Sequence, residues 1–252
     1  MLFLCAGFGC VTLVAPGDLP SSDYFDLPAS PEELRLVADR IYRDSRDIDE
    51  LVRARTALKK ADEELPEQFG TLWRLARVDA VLARMDEARG EGWAQEGLKA
   101  ARSARALEPD RIEGHLYAAV CTGMLAKYRP ADGDELTERV VELAQRAVAV
   151  DPHYAGGEAR RVLGAIYIYA PPWPAGVGDL DEAIEILEGL AADHPEAPLN
   201  LYFLAEAYRR GEQRDDALRL YRRVRSFPPR GVWRLEGRHY RAKAREYIRQ
   251  LQ

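Results

Sequence analysis

Prolines recur at positions 66, 109, 152 and 195, three successive intervals of 43 residues, and this spacing constrains the chain more than any other feature. A fixed period of that length marks a repeat architecture, in which each unit buries its apolar face only against its neighbours. Each proline closes a run with small or medium apolar residues at the same offsets. The runs are Ala54, Leu58, Ala61 before Pro66; Gly97, Ala101, Ala104 before Pro109; Val140, Ala144, Ala147 before Pro152; and Ala183, Leu187, Leu190 before Pro195. A fifth copy, Ala217, Tyr221, Val224 and Pro229, keeps these steps but arrives 34 residues after the fourth. Positions i, i+4 and i+7 lie on one face of a helix, so small residues there let a second helix approach closely. Proline lacks the N–H and fixes φ, which stops each helix before the next begins.

Ahead of the fifth stripe, Leu201, Leu204, Ala205 and Tyr208 supply the large, large, small and aromatic order of a tetratricopeptide repeat, a family that the chain resembles. Looser versions are Leu72, Leu75, Ala76 and Leu163, Gly164, Tyr167. Ser30, Pro31 and Glu33 form a capping box with proline at the first helical position, so an opening helix is expected to run to about Asp44. After Pro229, residues 233–252 read as an amphipathic helix with a charged outer face, the solvating cap that a solenoid needs. The expected fold is therefore all-α: a tetratricopeptide-type α-solenoid of about five helix pairs plus a C-terminal capping helix, some eleven helices in all, over residues 30–252. The nine residues by which the long units exceed the standard repeat are expected mainly in loops between paired helices, such as residues 129–133 and 170–178. Asp179 is placed to cap the helix that follows the second of these loops.

Composition supports a helical chain and removes several functions. Charged residues make up 31% and apolar ones 47%, and the net charge is -6, which leaves no basic field for nucleic acid. The four histidines, His115, His153, His194 and His239, lack the spacing of a metal site, and Cys5, Cys10 and Cys121 form no CxxC pair. His153 and His194 flank repeat prolines and read as loop or cap residues. There is no GxSxG, Walker loop or GxGxxG, and Gly156-Gly157 reads as the start of a helix. The expectation is a protein without catalytic site, metal or cofactor.

The first fourteen residues are almost wholly apolar but shorter than the roughly 20 needed to span a bilayer. Gly9-Cys10 resembles the end of a bacterial lipobox, with Gly7 where that motif usually has leucine, so residues 1–10 read as part of a signal peptide and Cys10 as a lipidation site. Residues 11–29, rich in Pro, Ser, Asp and Leu, suit an extended linker. The alternative is an apolar N-terminus on a cytosolic protein, in which Cys10 is an ordinary thiol. One further stretch carries a resemblance: the Pro-Pro-Trp-Pro and Gly-Asp loop at 171–179, joined to a helix with Asn200, Leu204, Ala205 and Glu206, looks like TatT-type proteins, the tetratricopeptide lipoproteins associated with TRAP transporters. The resemblance covers about 45 residues and implies a periplasmic, lipid-anchored protein with a cavity for hydrophobic ligands, working beside a TRAP substrate-binding protein. Homo-oligomers are a further possibility.

In tetratricopeptide arrays the first helix of each pair lines the concave face. Projecting the inward positions gives Trp73, Arg77, His115, Arg161, Tyr169, Tyr202, Glu206 and Arg209, an aromatic and basic groove suited to a peptide carboxylate or an amphipathic ligand. The competing reading is that Trp73 and Tyr169 fill gaps between repeats. Trp173, in its proline loop, either seals the edge of the solenoid or contacts a partner.

Overall fold

The computed structural model describes residues 30–251; Cys10, the apolar N-terminus and the linker lie outside them. Eleven α-helices follow one another among the described residues: α1 (Pro31–Asp44), α2 (Ile48–Glu64), α3 (Phe69–Met85), α4 (Gly90–Leu107), α5 (Ile112–Tyr128), α6 (Gly133–Val150), α7 (Tyr154–Tyr169), α8 (Leu180–Asp193), α9 (Pro198–Arg210), α10 (Arg214–Ser226) and α11 (Arg234–Leu251). Each packs on the helix before and the helix after, and odd-numbered helices also touch across the array, as α3 touches α5 and α7 touches α9. This is the expected α-solenoid.

The proline register holds. Pro66, Pro109, Pro152 and Pro195 each lie two residues beyond a helix end. The N–H groups of Leu65, Glu108, Asp151 and His194 bond back to the carbonyls of Ala61, Ala104, Ala147 and Leu190, the third stripe position in each case. All stripe positions of the five second helices are buried, from Ala54, Leu58 and Ala61 to Ala217, Tyr221 and Val224. Ser30 and Glu33 close the capping box of α1, and Asp179 accepts from the backbone of Glu182 at 3.0 Å.

Two expectations are corrected. The extra residues of the long units are mostly helix rather than loop. Helices α3 to α6 run 17 or 18 residues, against 13 in α9 and α10, and the connections at 86–89 and 129–132 are short. One turn is 3.6 residues, so adding a turn to both members of a hairpin keeps their ends level. Between α7 and α8 the insertion is a loop, as expected. The second correction concerns Gly156-Gly157. Ala155, Gly156 and Gly157 all have positive φ (50°, 71° and 76°), so the chain makes a left-handed turn inside the first residues of α7. A Cβ at Gly157 would stand 2.2 Å from Leu190, which shows how closely this turn is pulled onto α8.

The array also curls until its ends meet. Arg234 donates to the Asp44 carbonyl at 3.2 Å and Arg238 to that of Arg46 at 3.3 Å, while Arg84 of α3 is ion-paired to the buried Glu236 of α11. Helix α11 therefore does more than cap: Tyr240, Ala244 and Ile248 pack on the C-terminal core, and its first turn reaches back to α1 and α3.

Candidate functional site

The residues projected onto the concave face divide into separate groups. Trp73 stacks on Tyr117 with ring centroids 6.2 Å apart and planes 8° from parallel. Arg74 and Arg77 lie over the Trp73 ring, and Arg77 also covers Tyr42 at 4.0 Å. Asp39 of α1 ties both arginines down, at 2.9 Å from Arg74 and 2.5 Å from Arg77. Burial pushes the phenols of Tyr42 and Tyr117 well above their usual range, with Arg77 opposing. Arg161, buried, donates to Asn200 at 2.9 Å, pairs with Glu158 at 3.4 Å and faces the Trp233 ring.

A second group sits around Glu206, a carboxylate only 1% exposed. It accepts from Tyr169 at 3.0 Å, from Tyr221 and from Arg209 at 3.2 Å. Burial raises the Tyr169 and Tyr221 phenols, and the adjoining Glu206 charge raises them further. Tyr202 packs on Tyr240 at 4.6 Å, and Arg209 covers Tyr247. Helix α11 thus provides much of what the inward side chains touch. The apolar cleft beside it, lined by Pro198, Phe227, Trp233 and Tyr240 among others, has room for about 10 Å³, roughly one water molecule.

His115 is placed differently from the projection. Its position on α5 is two residues from Tyr117, about 200° round the helix, so it points away from the Trp73 group. It lies instead in an open cleft of about 300 Å³ with Arg105, Pro109, Arg139, Glu142 and Arg146, between α4 and α6. Local periodicity missed the arginines of this cleft because alternating charges on a helix normally mean a solvated face. It also missed Asp39 and Tyr42, which act across from α1 to α3, and Glu236 and Tyr240 of α11, whose roles depend on contacts between helices that are not paired in sequence. His153 and His194 stand 3.3 Å apart, nitrogen to nitrogen, at the α7 and α8 ends, and no group of three or more His, Cys, Asp or Glu is arranged for a metal among the described residues.

Trp173 does not seal the solenoid: it is 85% exposed. The loop at 170–179 holds itself, through Gly178 N–H to the Pro171 carbonyl at 2.8 Å, Ala175 to Pro172 at 3.0 Å and Asp179 to Tyr167 at 3.1 Å. Tyr169, 47% exposed and covered in part by Arg210, stands at its foot.

The helix pairs, their stripe register and the superhelical curl define a tetratricopeptide-type α-solenoid. Residues 175–235 match the tetratricopeptide repeat family, and residues 36–157 match the family described as Regulator of microtubule dynamics protein 1-3. Among solved structures the chain is similar to TTC0263, a thermophilic TPR protein in Thermus thermophilus, with a TM-score of 0.66 at 20% identity over 86% of this chain and 100% of that one. It also aligns with MamA at a TM-score of 0.46 and 20% identity, over 80% and 91% of the two chains. No curated protein matches.

Proposed function

We propose that this chain is a non-catalytic scaffold of the bacterial cell envelope, similar to TatT-type proteins, that binds a TRAP transporter substrate-binding protein along the edge carrying Trp173. The observation that carries the reading is an indole held almost fully in solvent on a loop fixed by its own backbone bonds. Exposed, pre-positioned aromatic residues of this kind are the usual anchors of protein interfaces, because little entropy is lost when they are covered. The Pro-Pro-Trp-Pro loop is also where the resemblance to TatT-type proteins lies. Inward residues such as Arg77, Arg161 and Glu206 already have partners within the chain, which favours the outer edge for a partner protein. A hydrophobic small ligand in the interior requires α11 to shift first.

The test measures binding of a purified TRAP substrate-binding protein by calorimetry, together with palmitate labelling at Cys10. Binding that is lost in Trp173→Ala and labelling that is lost in Cys10→Ala support the reading; neither binding nor labelling sinks it. A second reading, a cytosolic adaptor for a peptide segment of a partner, draws on the match of residues 36–157 to the regulators of microtubule dynamics. Unprocessed protein in the cytoplasm that co-sediments with microtubules favours that one.

A further inference from the structure

The open cleft between α4 and α6 has no part in the edge or the inner face, and its chemistry points to a ligand of its own. We propose that it binds a phosphate monoester, through the guanidinium groups of Arg105, Arg139 and Arg146 and the imidazole of His115. Three guanidinium groups line a space of about 300 Å³ against one carboxylate, Glu142. Glu142 pairs with Arg139 and with Arg146, the latter at 3.3 Å, and so holds those two in place while neutralising only one of the three charges. Arg105 has no ion-pair partner among the described residues. Burial, and then the neighbouring charges of Arg139, Arg102 and Arg146, hold its guanidinium below the usual arginine range. Such a cluster is repulsive when empty, and an anion of two charges relieves it. Guanidinium forks also match phosphate oxygens in bidentate geometry.

His115 separates phosphate from carboxylate. The ring is 7% exposed, and its Nε2 lies 2.8 Å from the Pro109 carbonyl, an acceptor, so Nε2 carries the hydrogen. That leaves Nδ1 buried with no partner. A bare buried ring nitrogen costs free energy unless something meets it. A phosphate monoester has its second pKa near 6, so close to neutrality part of the population keeps a P–OH hydroxyl that can donate to this nitrogen. A carboxylate at neutral pH has no proton to share.

Calorimetry on the full chain at low salt tests the assignment, with phosphoserine, inorganic phosphate, a phosphoserine-containing peptide and glutarate as probes. Saturable binding of the phosphate probes, tighter than glutarate, is expected. Arg105→Gln should weaken it about tenfold or more, the factor that about 1.4 kcal/mol represents. Glu142→Gln should tighten it, by removing the internal competitor. Without ligand, Arg105→Gln should melt at or above the wild-type temperature, since it relieves repulsion, whereas loss of a purely structural arginine lowers it. Arg139, on the exposed face of α6, supplies a second variant that leaves folding intact. Equal affinity for phosphoserine and the peptide makes the phosphoryl group the whole ligand; a tenfold preference for the peptide identifies a phosphorylated protein. No saturable binding of any phosphate probe, glutarate as the tighter ligand, or binding that Arg105→Gln and Arg139→Gln leave unchanged overturns the proposal.

Discussion

The N-terminal and C-terminal parts of the array solve one packing problem with different materials. From α1 to the middle of α7 the core is made mainly of alanine, leucine and valine, with long helices brought close by residues that hardly occupy the seam. At Gly97 a Cβ would stand 2.7 Å from the Cys121 sulfur and 3.0 Å from the Asp79 Cβ, so the side chains of α3 and α5 already fill the space a larger residue would need. From Ile168 onward α8, α9 and α10 are shorter, at 14, 13 and 13 residues, while α11 runs 18, and the seam fills with Tyr202, Tyr208, Tyr221 and Tyr240. Wider seams hold more area per residue, but they bring hydroxyl groups that must be satisfied. Glu206 and Glu188 do this in the C-terminal part, the latter accepting from Tyr208 at 2.5 Å. The N-terminal part has a comparable carboxylate in Asp79, with Arg55 at 2.6 Å. Between α3–α6 and α8–α10, length of helix and size of seam residue trade against one another.

The sharpest way to break the comparison is Glu206→Ala, which orphans the buried Tyr221 hydroxyl and removes the partner of Tyr169 and Arg209. A loss of about 3–5 kcal/mol in urea unfolding is expected, as for other buried groups stripped of a charged partner. A loss below about 1 kcal/mol would mean that the C-terminal part depends on apolar packing as much as the N-terminal part does.

Asp79 also makes stability depend on pH. Burial raises Asp79 from 3.8 to about 6, with Arg55 opposing. The folded protein then keeps a proton that the unfolded chain has released between about pH 4 and pH 6. Stability from this group is present below about pH 4 and falls as pH rises through about 6, by up to about 3 kcal/mol at roughly 1.4 kcal/mol per pKa unit. The difference in unfolding free energy between wild type and Asp79→Asn, measured at about pH 4 and about pH 7, should move in that sense; a flat difference removes Asp79 from the contrast.

Overpacking compares the seams directly. Ala217→Leu and Ala101→Leu each fill a fully buried stripe position and should cost about 1–3 kcal/mol. The greater loss is expected at Ala101, where the Gly97 approach leaves least room to adjust. Equal melting temperatures for both variants and wild type would show that the stripe register is wrong. The smallest effect belongs to Trp173→Ala, whose side chain touches neither core: a stability change within about 0.5 kcal/mol, with the loop at 170–179 still ordered by amide exchange.

Features set by short-range pattern were legible in the sequence, and those set by curvature were not. Proline and stripe offsets located every second helix because a missing N–H and a small side chain act within a few residues. The expected placement of the nine additional residues in loops fails for most of the long units, since 86–89 and 129–132 offer little to tell a longer helix from a longer loop. Helix phase alone singles out Arg77, Tyr202 and Glu206, yet the partners Asp39 and Tyr240, like Glu236 that pairs with Arg84, come from helices at the ends of the array. Where those ends go depends on small rotations summed over every junction. His115 went astray for a simpler reason: α5 is buried on nearly all sides, so it has no single inward face to project.

The contact between the first helix and the last changes how such a molecule comes apart. An open array behaves like a row of units that each feel only the next, so its ends fray first and the middle survives. Here the row is joined into a loop by bonds spanning 190 and 192 positions, Arg234 to Asp44 and Arg238 to Arg46, and by the ion pair from Arg84 to Glu236. Neither end of the array is then a free boundary from which melting can start. Protection of amides in α1 should then depend on residues of α11, and the array is expected to unfold more cooperatively than an open row of the same repeats.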